Sequence, residues 1–326
     1  MKGYVAYKLP HSENVIIQKG AAIHYDNIEE IIEKDGFIFN AFNSETNYHV
    51  TNLLNCQLSD FELYINNDNN YCIGQAEYLK IGNTLINYLK QNNLEKVILS
   101  RLKKITNSFN PIDLFTLLNT VYKNTFNYII SIEGMGCWIG STPEVLLTKK
   151  ENSFNTVSIA GTKHSALIEW GKKEKEEQKI VTDYISHVLQ ENSIDFSKSK
   201  TETIKAGHVF HLKTTFEGQL KNNLAKLIKA LHPTPATCGL PKNKAKLHIE
   251  SIEKHNRKYY TGFLGPTSKN KTSLFVNLRC LEIQESFSLL YLGGGITSKS
   301  IALDEWNETE NKAKTLLQVI SELSKS

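Results

Sequence analysis

Charged side chains stand in this sequence where apolar ones would be expected. In residues 176–189 (EEQKIVTDYISHVL), Ile180, Val181, Tyr184, Ile185, Val188 and Leu189 form an apolar stripe at helical spacing. Glu177 falls on that stripe, whereas Glu174 and Lys175 point to water. A carboxylate on a buried face needs a partner, commonly a cation; the alternative is an edge residue that reaches solvent. Arg279 lies in FVNLRCLEI, a strand-like run apolar on both sides, and there it needs an anion. A structural salt bridge and a bound carboxylate both answer that need. Glu308 and Lys312 are four residues apart, as a surface ion pair or as two groups aimed into one site. Lys96 opens the run KVILS and Glu144 follows a Thr-Pro turn before VLL. A lysine and a carboxyl group can act as base and acid in one reaction, or can be edge charges.

Two stretches have shaped backbones. LHPTPATCGLPK (231–242) packs Pro233, Pro235, Pro241 and Gly239 into one loop, in which proline fixes φ and glycine relaxes it. GGGI (293–296) follows an apolar strand and reads as a strand-ending turn whose N–H groups could also face an anion.

These groups need a large scaffold, and 326 residues provide one. A hydrophobic fraction of 40% and a charged fraction of 22% fit a soluble globular protein and exclude fibrous, disulfide-scaffold and disordered classes. A net charge of +4 without a Lys/Arg stripe argues against a nucleic-acid partner. Cys56, Cys72, Cys137, Cys238 and Cys280 are widely spaced and odd in number, which suggests reduced thiols in the cytoplasm. The N-terminus lacks the apolar run of a signal peptide, and no run approaches a membrane span, so no membrane association is expected.

Periodicity predicts helices over 76–92, 111–123, 169–190, 222–231, 244–256 and 304–323. It predicts strands at 5–7, 15–17, 36–39, 96–104, 144–148, 154–160, 205–220, 258–264, 273–283 and 286–292. A hairpin of 128–132 with 136–139 turns about Gly134. The strands come in groups, which favours α+β over a doubly wound parallel sheet. Residues 1–75 carry no candidate chemistry and read as a peripheral N-terminal portion; 76–326 read as the catalytic region.

The segments KVILSR, STPEVLL, IAGT, EEQKIVTDYI, FHLKTTFEG, LHPTPATCGLP, RKYYTGFLG, NLRCLEI, GGGI and WNETENK, in this order, resemble the chorismate-utilising enzymes. That family includes isochorismate, anthranilate, aminodeoxychorismate and salicylate synthases. The resemblance covers about Ala76 to Ile320. It implies a single large α+β fold, two β-sheets sandwiching helices, with the site in a central cleft. Lys96 and LHPTPA resemble the isochorismate and salicylate synthases. Ala160 stands where aminodeoxychorismate synthases carry a lysine nucleophile. Ser158 departs from the proline of many relatives and puts local loop shape in question.

The implied activity is a Mg²⁺-dependent isochorismate synthase supplying menaquinone or siderophore synthesis. Salicylate synthase and a non-catalytic chorismate-binding relative are the alternatives. By resemblance, Lys96 is the general base and Glu144 the general acid, so Lys96 needs a lowered and Glu144 a raised pKa. Glu177 and Glu308 would hold Mg²⁺. Arg279, Lys312 and backbone N–H groups near Gly161, Thr162, Gly293 and Gly295 would hold the carboxylates of chorismate. His211 and Tyr260 would line the ring pocket. No glutaminase subunit is expected.

Overall fold

The computed structural model describes residues 1–43, 46–68, 70–92, 94–163, 165–192, 194–206, 209–220 and 223–324. The strands are β1 (Lys2–Lys8), β2 (Val15–Tyr25), β3 (Gly36–Asn40), β4 (Asn47–Asn55), β5 (Lys96–Thr106) and β6 (Phe126–Ile132). Next come β7 (Gly136–Thr142), β8 (Val145–Lys150), β9 (Ser153–Lys163), β10 (Phe196–Lys198), β11 (Glu202–Ala206) and β12 (Val209–Gln219). The last are β13 (Gly239–Leu240), β14 (Phe263–Thr267), β15 (Lys271–Val276), β16 (Cys280–Ile283) and β17 (Phe287–Thr297). The helices are α1 (Gln75–Gln91), α2 (Pro111–Val121), α3 (Lys172–Glu191), α4 (Leu224–Leu231), α5 (Lys242–Ile252) and α6 (Ala302–Leu323).

The paired strands form one antiparallel ribbon with two arms. One arm runs β13-β5-β17-β16-β7-β6-β1-β2. The other runs β2-β4-β3-β14-β15-β8-β9-β12, with β10 and β11 both on β12. Strand β2 belongs to both arms, so the first four strands lie at the join.

The alternation of side chains along each strand builds the layers. Inward residues of both arms, among them Tyr7, Phe37, Phe39, Tyr128, Trp138 and Tyr291, form an aromatic-rich core between the sheets. Within it Phe126 and Phe275, one from each arm, stack with ring centroids 4.1 Å apart. Outward residues of the first arm, such as Ile129, Ile139 and Leu290, pack on α2 and α6 through Phe115, Leu118, Leu316 and Val319. Outward residues of the second arm, such as Leu147, Phe216 and Leu274, pack on α3 and α4 through Val181, Ile185, Leu189 and Ile228. The expected two sheets and their helices are present, but the layers are reversed: the sheets pack directly on each other and the helices cover the outer faces instead of lying between the sheets. No helix among the described residues is long and apolar enough to cross a membrane.

Several sequence expectations change in detail. Gly293–Gly295 do not end a strand; β17 continues through them, each glycine in register with β5. The expected strand 258–264 is turn through Gly262, and the strand begins at Phe263. Residues 273–283 are two strands broken at 277–279, with Arg279 at φ +48°. Ser158 lies within β9 and shapes no loop. Gly207, His208 and Asn222, inside the expected 205–220 strand and 222–231 helix, lie outside the described residues.

Candidate active site

The far ends of the two arms meet at a cavity of about 860 Å³, counting its open mouth. All twelve residues expected at the site line it: Lys96, Glu144, Gly161, Thr162, Glu177, His211, Tyr260, Arg279, Gly293, Gly295, Glu308 and Lys312.

Lys96 is the first residue of β5 and is buried. Its Nζ lies 3.2 Å from Glu177 Oε1, on α3. The facing glycines make this possible. A Cβ at Gly295 would lie 2.5 Å from Lys96 Cε and 2.9 Å from Glu177 Oε1; one at Gly293 would lie 2.6 Å from the Tyr260 hydroxyl. Ile98 and Ser100, opposite Gly295 and Gly293, direct their N–H groups to Cys238 O and Glu253 Oε1 instead. The two glycines therefore occupy non-hydrogen-bonded pairs of the ladder, and their own peptide groups turn away from β5. Accordingly, the carbonyl of Gly293 accepts a 3.0 Å bond from Lys312 Nζ.

On the second arm, β9 bulges against β12. Thr162 faces His211 and Ala160 faces Leu212, which leaves Gly161 unopposed at φ +67°. This is the backbone state that glycine adopts without strain. A Cβ there would meet both Cβ and O of Glu174 at 3.0 Å, so Glu174 packs against the bulge, half-buried, where the sequence suggested full exposure. The bulge turns the Gly161 carbonyl 2.9 Å from His211 Nδ1. Arg279 Nη2 lies 2.9 Å from His211 Nε2. A guanidinium can only donate, so Nε2 accepts and the proton sits on Nδ1, donated to Gly161. Burial, and then the Arg279 charge, pull the imidazole down to about 3, which keeps it neutral. His211 thus holds the guanidinium in place. Burial also lowers Arg279 to about 10.

Glu144 precedes β8 and is buried. Burial raises its carboxyl to about 7, against the opposing pull of Lys96, Lys312 and Arg279. It is therefore available as an acid near neutral pH. Glu308 on α6 pairs with Lys312 at 2.7 Å. Burial pushes Glu308 up, but Lys312 and then Lys173 outweigh it, and the carboxylate stays ionised.

Sequence reasoning missed Glu305, one helical turn before Glu308. It is almost fully buried and accepts bonds of 2.7 Å from Lys173 Nζ and 2.7 Å from Ser300 Oγ. Burial and the Glu308 charge raise its pKa. Its i, i+3 spacing to Glu308 was the available signal. Gln178 was also missed. This buried amide donates to Ser158 Oγ (2.9 Å) and Thr214 Oγ1 (3.2 Å) and fastens α3 beside Glu177.

Among the described residues, no group of three or more His, Cys, Asp or Glu is arranged to hold a metal. Two carboxylates, Glu177 and Glu308, face the cavity, each against a lysine. Hard oxygen donors in this number suit Mg²⁺, which keeps waters and takes the rest of its shell from its ligand. The site can thus offer a base, an acid, cations for anionic groups and two carboxylates for a dication.

Comparison with known proteins agrees with this geometry. The isochorismate synthase EntC of Escherichia coli K12 is 31% identical over 244 residues, which cover 69% of this chain and 62% of that protein. The chain thus matches under two thirds of that relative's length. Two solved structures share the fold. The menaquinone-specific isochorismate synthase MenF of Escherichia coli superposes with a TM-score of 0.83 at 19% identity, covering 98% of this chain and 88% of that one. Anthranilate synthase component I of Streptococcus pneumoniae superposes with a TM-score of 0.72 at 19% identity, covering 96% and 89%. The chorismate binding enzyme family matches residues 39–321, most of the chain, and the chain belongs to that family.

Proposed function

We propose that this chain is an isochorismate synthase, converting chorismate to isochorismate by adding water at C2 as the C4 hydroxyl leaves. The observation that carries the reading is that Lys96 and the buried Glu144 line one cavity, where burial raises the Glu144 carboxyl to about 7. Lys96 takes a proton from the attacking water. Glu144 gives a proton to the departing C4 oxygen while the ring double bonds shift. One water enters and one leaves, so the product is an isomer of the substrate. Arg279, fixed by His211, grips one substrate carboxylate through its planar fork. Lys312 and the outward peptide groups of Gly293 and Gly295 face the other. Tyr260 and Ile98 bound the ring.

Glu177 and Glu308 would hold Mg²⁺, which when bound supplies positive charge for the substrate carboxylate. Residues 76–326 carry the chemistry, and residues 1–75 join the two sheets. The 31% identity to EntC, the higher superposition score of MenF and the lysine at position 96 support this reading over ammonia-using relatives.

The test is to incubate the purified protein with chorismate, with and without Mg²⁺, and separate the products. Isochorismate that vanishes with chelator is expected. Pyruvate with an aromatic acid would convert the reading to salicylate synthase. Unchanged chorismate with folded protein would overturn it.

A further inference from the structure

The loop 231–242 has a second side. Its middle residue Ala236 lines the active cavity, and Gly239 and Leu240 pair with Val97 and Lys96 of β5. Its two ends, His232–Pro233 and Lys242, instead line a separate cavity between α4, α5 and Phe42, also of about 860 Å³ with its mouth.

That cavity has an apolar wall from Phe42, Ile228 and Phe263. His232 is buried in the same wall, edge-on to Phe263, and among the described residues neither ring nitrogen has a well-formed hydrogen bond, the Phe42 backbone approaching it without meeting that geometry. An unsatisfied buried imidazole is costly and calls for a group to meet it. Lys242 lines the same cavity, next to the His232 backbone. Among the described residues its Nζ contacts only neutral oxygens, the carbonyls of Lys229 (3.3 Å), Ala230 (3.3 Å) and His232 (2.5 Å). These cap the end of α4, but they bring no counter-charge beyond the helix dipole. Lys246 lies beside it, with its nearest carboxylate, Glu250, 3.9 Å away. The remaining cation, Lys229, is already paired with Glu29 at 3.1 Å, and Asp26 on the rim is largely exposed. Burial lowers the Lys242 ammonium to about 8 and His232 to about 3.

We propose that this second cavity binds a small carboxylate with a flat apolar body, its ring against Phe42 and Phe263 and its carboxylate toward Lys242 and Lys246. Occupancy acts on the active cavity through the 231–242 loop, which lines both. A ligand that prefers one setting of this loop biases Ala236 and the backbone partner of Lys96, and so changes turnover.

The test uses 4-bromobenzoate. Crystals soaked with it are examined for the anomalous signal of bromine, and the same ligand is titrated calorimetrically in solution. The expected result is a bromine peak between α4 and α5, with millimolar affinity in solution. Lys246→Glu weakens this binding at least tenfold, and methyl 4-bromobenzoate, which has no charge, does not bind. In turnover assays benzoate changes the rate several-fold without competing with substrate, and Lys246→Glu removes that effect while basal turnover is unchanged. Lys242→Met is the second variant, and Lys246→Glu stands alone if that cap proves necessary for folding. Bromine only in the active cavity, water alone beside His232, or equal binding by Lys246→Glu would each overturn the proposal. The crystallographic and calorimetric readings do not depend on chorismate turnover, so they separate this proposal from the proposed activity.

Discussion

Two clusters of buried charge touch strand β5, and they are built differently. At the edge of the strand, Glu253 accepts bonds from Arg257 Nε (2.8 Å), Arg257 Nη2 (2.6 Å) and the Ser100 N–H (2.7 Å). Arg257 also donates to the carbonyls of Ile98 (2.8 Å) and Thr237 (2.8 Å). Burial opposes both charges, yet each partner outweighs it, so Glu253 is held below and Arg257 above its usual range. In the active cavity the balance tips the other way. Burial wins at Glu144, His211 and Arg279, and each moves toward its neutral form. The first cluster is closed and holds β5 against the 231–242 loop. The second is left open to a ligand, which is how groups with shifted proton affinity mark a working site.

Substitutions in the two clusters should therefore separate activity from stability. The largest effect is expected for Lys96→Ala, which should lower chorismate turnover by about 10³–10⁴-fold. Its melting temperature should stay near that of the parent, because the lost ammonium served the cavity. Full turnover in this variant would remove Lys96 as the base. Glu253→Gln should do the reverse. Leaving Arg257 without its carboxylate should cost about 3–5 kcal/mol of stability in denaturant titrations. The protein that remains folded should still turn over substrate, and a stability loss below about 1 kcal/mol would contradict the contrast.

Glu144→Gln should combine the two behaviours. Turnover should fall by about 10²-fold or more. In the parent, turnover should decline as pH rises through about 7, where Glu144 loses its proton. The folded pKa lies above the unfolded one, so this group favours the folded state at low pH. That contribution disappears between the unfolded carboxyl range and about pH 7. Glu144→Gln should thus raise the melting temperature at pH 8 relative to the parent and change it little at pH 4. Thermal scans at the two pH values decide the sign. The smallest effect is expected for Gly295→Ala. Its Cβ would displace Lys96 Cε from 2.5 Å and lower turnover by about tenfold without unfolding the strand.

The same contrast explains what could be read from the sequence. Amphipathic helices carry their periodicity openly, so α1, expected over 76–92, is Gln75–Gln91, and α2 begins at Pro111 as expected. Site residues were legible where charge broke an apolar pattern, as at Glu177 and Arg279, and where motifs followed family order. Gly293–Gly295 were misread because glycine looks the same in a turn and in a strand. Only the side chains of Tyr260 and Lys96, brought alongside by packing and by pairing with β5, show why no Cβ fits at Gly293 and Gly295. The Glu253–Arg257 cluster was invisible, because its partners on β5 and at Thr237 are distant in sequence. Glu305 was missed because its partner Lys173 stands on α3, far from it in sequence.

The ribbon that joins both sheets through β2 has a further consequence, for the order of assembly. Lys96 stands near one end of the ribbon and His211 near the other, and Lys312 follows the last described strand, β17. Pairings so distant in sequence pay their loop-closure entropy before they gain contacts, which makes such topologies slow to fold. A partly folded chain can bury the aromatic core between the sheets and still have no cavity. Catalytic competence is then acquired at the closing step of folding, and the return of turnover should lag behind the return of secondary structure during refolding.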